Sequence, residues 1–301
     1  IYSYCKLGKG LNMAFNWRNH DDETIEYHFN PRLTIPDAMD LLQAMPEIAA
    51  SARMSLDGSI DIRYGKRPKE TLDVFPATTE VMGDPPPALI FIHGGYWRMM
   101  DKSDHSHVAS DMVQSGVTHI SLNYDLCPEV TLDDIVDEIR NAIIFIYKNS
   151  AKLGVDRDRL YLSGHSAGGH LTGMMLKENW VLHGLPADVL KGALPLSPVF
   201  EPEAIIHTSI NEDVRLNVEM AQRNNVLASP PTIKAPIIVA VGELEPEGFR
   251  QQSVSYVTLC QANGIEAEYY QIKGCNHFTA LDAFSKNNHE LFHKLISIIN
   301  Q

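Results

Sequence analysis

The sequence is poor in the features that mark several large classes of protein. Its 301 residues include only four cysteines, which are scattered without metal-ligand spacing or the density of a disulfide scaffold. No apolar run approaches the length of a membrane span, and the first ten residues lack the apolar segment of a signal peptide. The 25 basic residues are outnumbered by 38 acidic ones, for a net charge of −13, and no basic cluster could bind phosphates. These absences predict a cytoplasmic protein without a metal site, a nucleic-acid partner or a membrane anchor.

What is present is the pattern of an α/β domain. Hydrophobic residues make up 44% of the chain, and its length suffices for one large domain with a substantial core. Residues 60–64 and Thr71–Phe75 alternate like an antiparallel pair of strands. From Ala88–Ile92, an apolar run typical of a strand buried on both faces, strands and amphipathic helices follow in turn. This order predicts a doubly wound, mostly parallel sheet with helices on both faces.

The chain divides into three parts by character. Residues 1–12 show no periodicity, and we expect them to be a non-native or leader segment with the natural start at Met13. Residues 13–57 are predicted to form an N-terminal helical arm, which either lies over the site as part of a lid or packs on the outside of the core. Residues 58–301 are the predicted catalytic domain, with a small helical cap inserted at about 200–231, where helix-like pieces occur without a strand signal.

The most informative stretch is the turn that follows the strand-like residues Leu160 to Leu162. It carries Gly164-x-Ser166-x-Gly168, a pattern that places a serine on a sharp strand-to-helix turn with its hydroxyl exposed. The glycines are expected because side chains there would collide with the neighbouring strand or helix. The alternative is a serine in an ordinary glycine-rich turn, but the strand before it and the helix after it favour a nucleophile. Ala167, the next residue, can offer its backbone N–H to an oxyanion.

A second glycine-rich loop precedes the serine in the chain. The apolar strand that ends at Ile92 runs into His93-Gly94-Gly95-Tyr96-Trp97, and two glycines let backbone N–H groups point at one spot. In open α/β sheets, sites form at the carboxyl ends of strands, and an oxyanion hole is expected in a loop at this position. Gly94, Gly95 and Tyr96 are therefore the predicted donors beside Ala167; the alternative is a plain Gly-Gly turn.

The predicted base is a histidine after the last strand. His277 follows the run that ends at Ile272, and a serine hydroxyl is a poor nucleophile unless a base takes its proton. His165 and His170 flank the serine but lie on the wrong element to serve as the base. His105 and His107 form an isolated pair that we interpret as a solvated helix face and not as metal ligands.

The predicted acid lies after the strand that ends at Val241. The loop there offers three glutamates and no aspartate, and a carboxylate is needed to orient His277 and stabilise its imidazolium form. We favour Glu245, and Glu243 remains the alternative.

Together these residues resemble a known branch of one superfamily. The loop His93 to Trp97, the run Tyr124-x-Leu126-x-Pro128 and the stretch Gly164 to Leu171 look like the kynurenine formamidase (arylformamidase) branch of the α/β-hydrolases, in a bacterial-type form. The resemblance covers about residues 26–300. It implies the α/β-hydrolase fold, with Ser166 as nucleophile, His277 as base and Glu245 as acid. The animal enzymes carry Asp at the acid position, so Glu245 differs from them. This difference affects the expected identity of the substrate and not the triad.

The implied reaction is acyl transfer without a cofactor or metal. The resemblance suggests hydrolysis of N-formylkynurenine to kynurenine and formate, with Tyr96, Trp97 and His165 as candidate contacts to the small-molecule substrate; a homodimer is left open. One alternative is a general short-chain carboxylesterase with the same triad. The other is a non-catalytic binding protein with this fold, which is disfavoured because the serine, the histidine and the oxyanion glycines are all present.

Overall fold

The computed structural model describes residues 15–78 and 85–301, so the predicted leader at residues 1–12 lies outside the described residues. These ranges contain one sheet of eight strands in the order β1-β2-β4-β3-β5-β6-β7-β8. The strands are β1 (Ser59–Arg63), β2 (Thr71–Phe75), β3 (Ala88–Ile92), β4 (Thr118–Leu122), β5 (Leu160–His165), β6 (Leu190–Leu196), β7 (Ile237–Gly242) and β8 (Ala267–Ile272).

The sheet is antiparallel at one edge and parallel elsewhere. Strand β2 pairs antiparallel with both β1 and β4, whereas β4, β3, β5, β6, β7 and β8 pair in parallel. Residues of β3 alternate between two core clusters: Ile90 and Ile92 belong to one, and Leu89 and Phe91 to the other. Apolar side chains on both faces are what a central strand covered by helices requires. The predicted fold is confirmed.

The described residues form eleven α-helices. They are α1 (Asp22–Phe29), α2 (Pro31–Thr34), α3 (Ala38–Ser55), α4 (Ala109–Gln114), α5 (Leu132–Leu153), α6 (Ala167–Lys177), α7 (Asn211–Val214), α8 (Val218–Arg223), α9 (Glu247–Ala262), α10 (Ala280–Ser285) and α11 (Glu290–Ile299). The longest, α5, begins at a capping box made by Thr131 and Asp134 and ends at Gly154 in the left-handed region, as the physics of helix ends favours. Helix α3 continues through Pro46, so the proline does not split it.

The arm formed by α1, α2 and α3 lies against the carboxyl edge of the sheet. Helix α3 packs on the 3-10 helix Lys102–Val108, and α1 packs on α9 and on the 3-10 helix Pro202–His207. Residues 200–231 contain α7, α8 and short 3-10 turns and no strand. The arm and this segment therefore meet on the same side of the molecule, above the ends of the parallel strands.

Candidate active site

The serine lies at a sharp turn between β5 and α6. Ser166 has φ 58° and ψ −115°, a strained backbone conformation of the kind found at functional sites. A Cβ atom at Gly164 would lie 2.3 Å from the carbonyl oxygen of Gly168, and one at Gly168 would lie 2.0 Å from the carbonyl oxygen of Ile92. The two glycines are required because the turn leaves no room for side chains.

The structure brings Ser166 and His277 into contact. The Oγ of Ser166 is 3.0 Å from the Nε2 of His277, and both side chains are buried. His277 lies in the loop between β8 and α10, which the parallel pairing carries to the same edge of the sheet as the serine turn. The distance is a hydrogen bond, the geometry that a base needs to take the hydroxyl proton.

Glu245, and not Glu243, lies against the histidine. The Oε2 of Glu245 is 2.7 Å from the Nδ1 of His277. The Oε1 of Glu245 accepts hydrogen bonds from the hydroxyl of Ser197 at 2.5 Å and from the N–H of Gly242 at 2.7 Å. Glu243 is exposed and instead accepts from the N–H of Gly274, at 2.8 Å. Sequence reasoning missed Ser197, whose only signal was its place directly after β6.

The loop after β3 presents free backbone donors beside the serine. Within the described residues, the N–H groups of Gly94, Gly95, Tyr96 and Ala167 donate to no backbone carbonyl, and Gly95 and Tyr96 line the same cavity as Ser166. Gly95 and Tyr96 have φ of 108° and 49°, positive values that belong to a tight turn. A Cβ atom at Gly94 would lie 3.3 Å from the Cβ of Ser166, so the loop runs close past the serine. This arrangement can stabilise an oxyanion.

A buried polar network holds this loop from behind. The imidazole of His93 stacks on Tyr124 with ring centroids 4.2 Å apart, and the Tyr124 hydroxyl donates to the carbonyl of His93 at 3.0 Å. The Nε2 of His93 is 3.0 Å from the Oδ1 of Asn123, whose Nδ2 donates to Asp101 at 2.7 Å. Burial lowers the pKa of His93 to about 4, so the ring is neutral and serves as a fixed support. Asn123 was missed; its signal was its position at the carboxyl end of β4.

A narrow cavity of about 50 Å³ opens over the serine. Its walls are mainly apolar, and one of them is the arm. The arm contributes Asn30, Pro31, Arg32, Leu42 and Met45. The cavity therefore depends on a segment that lies far from the triad in the chain.

Two expectations about side chains need correction. Trp97 is fully buried and its indole packs edge-on against His170, with ring centroids 5.0 Å apart. Of these two residues only Tyr96 lines the cavity, because Trp97 is packed within the hydrophobic core. His105 is also fully buried and lines the cavity, so it is not on a solvated helix face. No group of three or more residues that could hold a metal ion occurs in residues 15–78 and 85–301.

His165 holds the backbone of His277. Its Nε2 donates to the carbonyl of His277 at 2.8 Å, and the two rings lie 4.7 Å apart. Burial, and then the neighbouring His277, hold the pKa of His165 well below its ordinary value. A neutral His165 fixes the loop of His277 without competing for the hydroxyl proton.

A parallel sheet of this topology with a serine, a histidine and a carboxylate at its carboxyl edge defines an α/β-hydrolase. The BD-FAE family model matches residues 72–184. Kynurenine formamidases of Salmo salar and Danio rerio are each 26% identical to the chain over 297 residues, covering 95% of this chain and 99% of theirs. The chain is a kynurenine formamidase-like α/β-hydrolase, as the sequence motifs predicted.

Solved structures support the same class. A candidate thioesterase from a Silicibacter species superposes with a TM-score of 0.77 at 25% identity, over 92% of this chain and 99% of that one. An esterase from Pyrobaculum calidifontis shares the fold, with a TM-score of 0.66 at 19% identity over 93% and 95% of the two chains. In the described part of the chain, no helix has both the length and the apolarity needed to cross a membrane.

Proposed function

We propose that the protein is a serine hydrolase that removes a formyl group from an aromatic amine, and that its substrate is N-formylkynurenine. The observation that carries this is the hydrogen-bonded chain from Glu245 through His277 to Ser166 at the base of a narrow cavity. The similarity to kynurenine formamidases over nearly the whole chain supports the choice of substrate.

The geometry supports a two-step mechanism. Ser166 attacks the formyl carbon while the Nε2 of His277 takes the hydroxyl proton, and Glu245 holds the imidazole and stabilises its charged form. The carbonyl oxygen becomes an oxyanion that the N–H groups of Gly95, Tyr96 and Ala167 can stabilise. His277 then gives the proton to the leaving amine. In the second step His277 takes a proton from the water that attacks the formyl ester. His277 returns this proton to the Oγ of Ser166 as the ester bond breaks, and formate leaves.

The small volume of the cavity favours a small acyl group. Formyl is the smallest acyl group that an amide can carry. The hydroxyl of Tyr96 donates to the carbonyl of Phe29 and so joins the oxyanion loop to the arm. We infer that the arm acts as a lid over the bound aryl group. Contacts of its residues with the cavity support this role.

A general short-chain carboxylesterase is the second candidate. Apolar side chains on the cavity wall, among them Met45, Met99 and Met100, would suit an acyl chain as well as an aryl ring. The esterase fold shared with the Pyrobaculum protein agrees with this reading.

The decisive experiment compares formate release from N-formylkynurenine with hydrolysis of p-nitrophenyl acetate and butyrate. We expect kcat/KM to be highest for the formamide, and Ser166→Ala to lose about 10⁴- to 10⁶-fold in kcat on every substrate together with labelling by a fluorophosphonate. Ser229→Ala, at an exposed position, is the matched control and should behave as the wild type. No formate from N-formylkynurenine, with esters cleaved, would establish the esterase instead.

A further inference from the structure

Ser197 directly follows β6, which lies between the strand that leads to Ser166 and the strand that leads to Glu245. The carbonyl of the preceding residue, Leu196, accepts the N–H of Ser166 at 2.8 Å. The N–H of Ser197 donates to the carbonyl of Ala240 on β7, at 2.7 Å. The one peptide group between Leu196 and Ser197 therefore connects the serine turn to the strand of the acid.

The backbone of Ser197 has an unfavourable conformation. Its φ is 48°, a left-handed value that glycine adopts readily and other residues do not. The next residue is Pro198, and a residue before proline favours extended backbone. A glycine would fit this place with less strain, yet the chain carries a serine whose side chain is fully buried. Strain of this kind points to a function of the side chain.

The hydroxyl of Ser197 binds the carboxylate that contacts His277. It donates to the Oε1 of Glu245 at 2.5 Å, while the Oε2 of Glu245 is 2.7 Å from the Nδ1 of His277. The N–H of Gly242 also donates to Oε1, at 2.7 Å, but it lies three residues from Glu245 on the same loop. The hydroxyl comes from the end of a different strand, so it fixes the carboxylate relative to β6.

We propose that Ser197 is a positioning residue whose hydroxyl holds Glu245 in the orientation that directs His277 toward Ser166. This inference rests on the proposed function, in which Glu245 is the acid of the triad. A glutamate side chain has many rotamers, and ordering it costs conformational entropy. Hydrogen bonds to a charged group are stronger than those between neutral groups, so the hydroxyl can keep the carboxylate in one rotamer during both steps. Ser197 is not among the residues that line the cavity, so it acts through Glu245.

The test compares Ser197→Gly with Ser197→Ala in the hydrolysis of p-nitrophenyl acetate. Both variants lose the hydroxyl, but only glycine relieves the backbone. We expect kcat to fall about 10- to 100-fold in both, the range for a hydrogen bond to a charged group, with KM within about threefold of the wild type. The matched control is Arg215→Gly, which places glycine at an exposed residue with φ of 57° and should keep the wild-type kcat.

A double-mutant cycle separates positioning from a general structural role. If the hydroxyl acts through Glu245, adding Ser197→Gly to Glu245→Ala should lower kcat by less than about threefold, because the carboxylate that it holds is already gone. A structural role would give the same loss of kcat in both backgrounds. Thermal melts of all variants exclude unfolding as the cause.

Three results would overturn the inference: a kcat in Ser197→Gly within about threefold of the wild type, a higher KM at constant kcat, or the full loss of kcat again in the Glu245→Ala background. Because the assay uses an acetate ester, it does not depend on cleavage of a formamide. A wild type that cleaves the ester but releases no formate from N-formylkynurenine would refute only the proposed substrate.

Discussion

The triad and the N-terminal arm reach the same cavity by different physical means. Glu245, His277 and Ser166 are almost fully buried and linked by hydrogen bonds of 2.7 and 3.0 Å on loops fixed by parallel strands. The arm is attached through ion pairs at the surface, such as those from Arg18 to Glu201 and Glu203, through the pair of Arg53 with the buried Asp73, and through the bond from Tyr96. The proposed triad thus rests on the sheet, whereas the arm is held by side chains of its own, among them Phe29 in the hydrophobic core.

The largest effect on activity is expected from Glu245→Gln, which changes the proposed triad and leaves the arm intact. We expect kcat to fall about 10⁴-fold, because an amide cannot hold the imidazole in the required tautomer or stabilise its charged form. Steady-state kinetics on p-nitrophenyl acetate measures the loss. The matched control is Glu243→Gln, which removes a carboxylate two residues away and should stay within about threefold of the wild type, since His277 does not contact it. A larger loss in the control than in Glu245→Gln would reverse the assignment of the acid.

Low pH should lower the stability of the fold. Burial lowers the pKa of His93 and of His170 to about 4 and that of His119 to about 3, each from an ordinary value of 6.5. Below pH 6.5 these histidines bind protons in the unfolded chain but stay neutral in the folded chain. The free energy of unfolding should therefore fall by several kcal/mol between pH 6.5 and about 3. Urea unfolding at a series of pH values measures this.

His119 offers a variant for the same test. Neither of its ring nitrogens has a hydrogen-bond partner in the described residues, and its ring packs between Phe75 and Phe91. His119→Phe should therefore reduce the dependence of stability on pH. Comparison at pH 8, where the histidine is neutral in both states, isolates the packing contribution. An unchanged pH dependence would contradict the prediction.

Tyr96→Phe removes the hydrogen bond that joins the loop after β3 to the arm. The change removes the hydrogen bond to the carbonyl of Phe29 but leaves the backbone N–H that we propose as an oxyanion donor. We expect about 1 kcal/mol lower stability and a KM several-fold higher with kcat changed less, as for a loss of binding rather than of transition-state stabilisation. Tyr27→Phe, on the exposed face of α1, is the control. A fall in kcat with constant KM would place the hydroxyl in the chemistry.

The smallest effect is expected at the outer attachment of the arm. Arg18 pairs with Glu201 and Glu203 at 2.9 Å each, but its side chain is 46% exposed. Arg18→Ala should cost at most about 1 kcal/mol of stability, measured by urea unfolding. The difference in stability between the variant and the wild type should be smaller at high salt. A loss well above 2 kcal/mol, or one that salt does not change, would mean that the arm is held more firmly than its exposed ion pairs suggest.

The sequence by itself determined the α/β-hydrolase architecture and the similarity to kynurenine formamidases, both of which are confirmed. It also predicted the order of serine, acid and base, because strand periodicity and glycine spacing record constraints between residues close in the chain. The roles of Ser166, His277 and Glu245 stay predictions, although the structure brings the three side chains together.

Only the tertiary structure distinguished Glu245 from Glu243, because both follow β7 and the choice depends on how the loop turns toward His277. The same holds for the burial of Trp97 and His105, and for the place of Arg32 and Arg98 in the wall of one cavity. Each depends on segments far apart in the chain, whose side chains become neighbours only when the sheet and the arm are assembled.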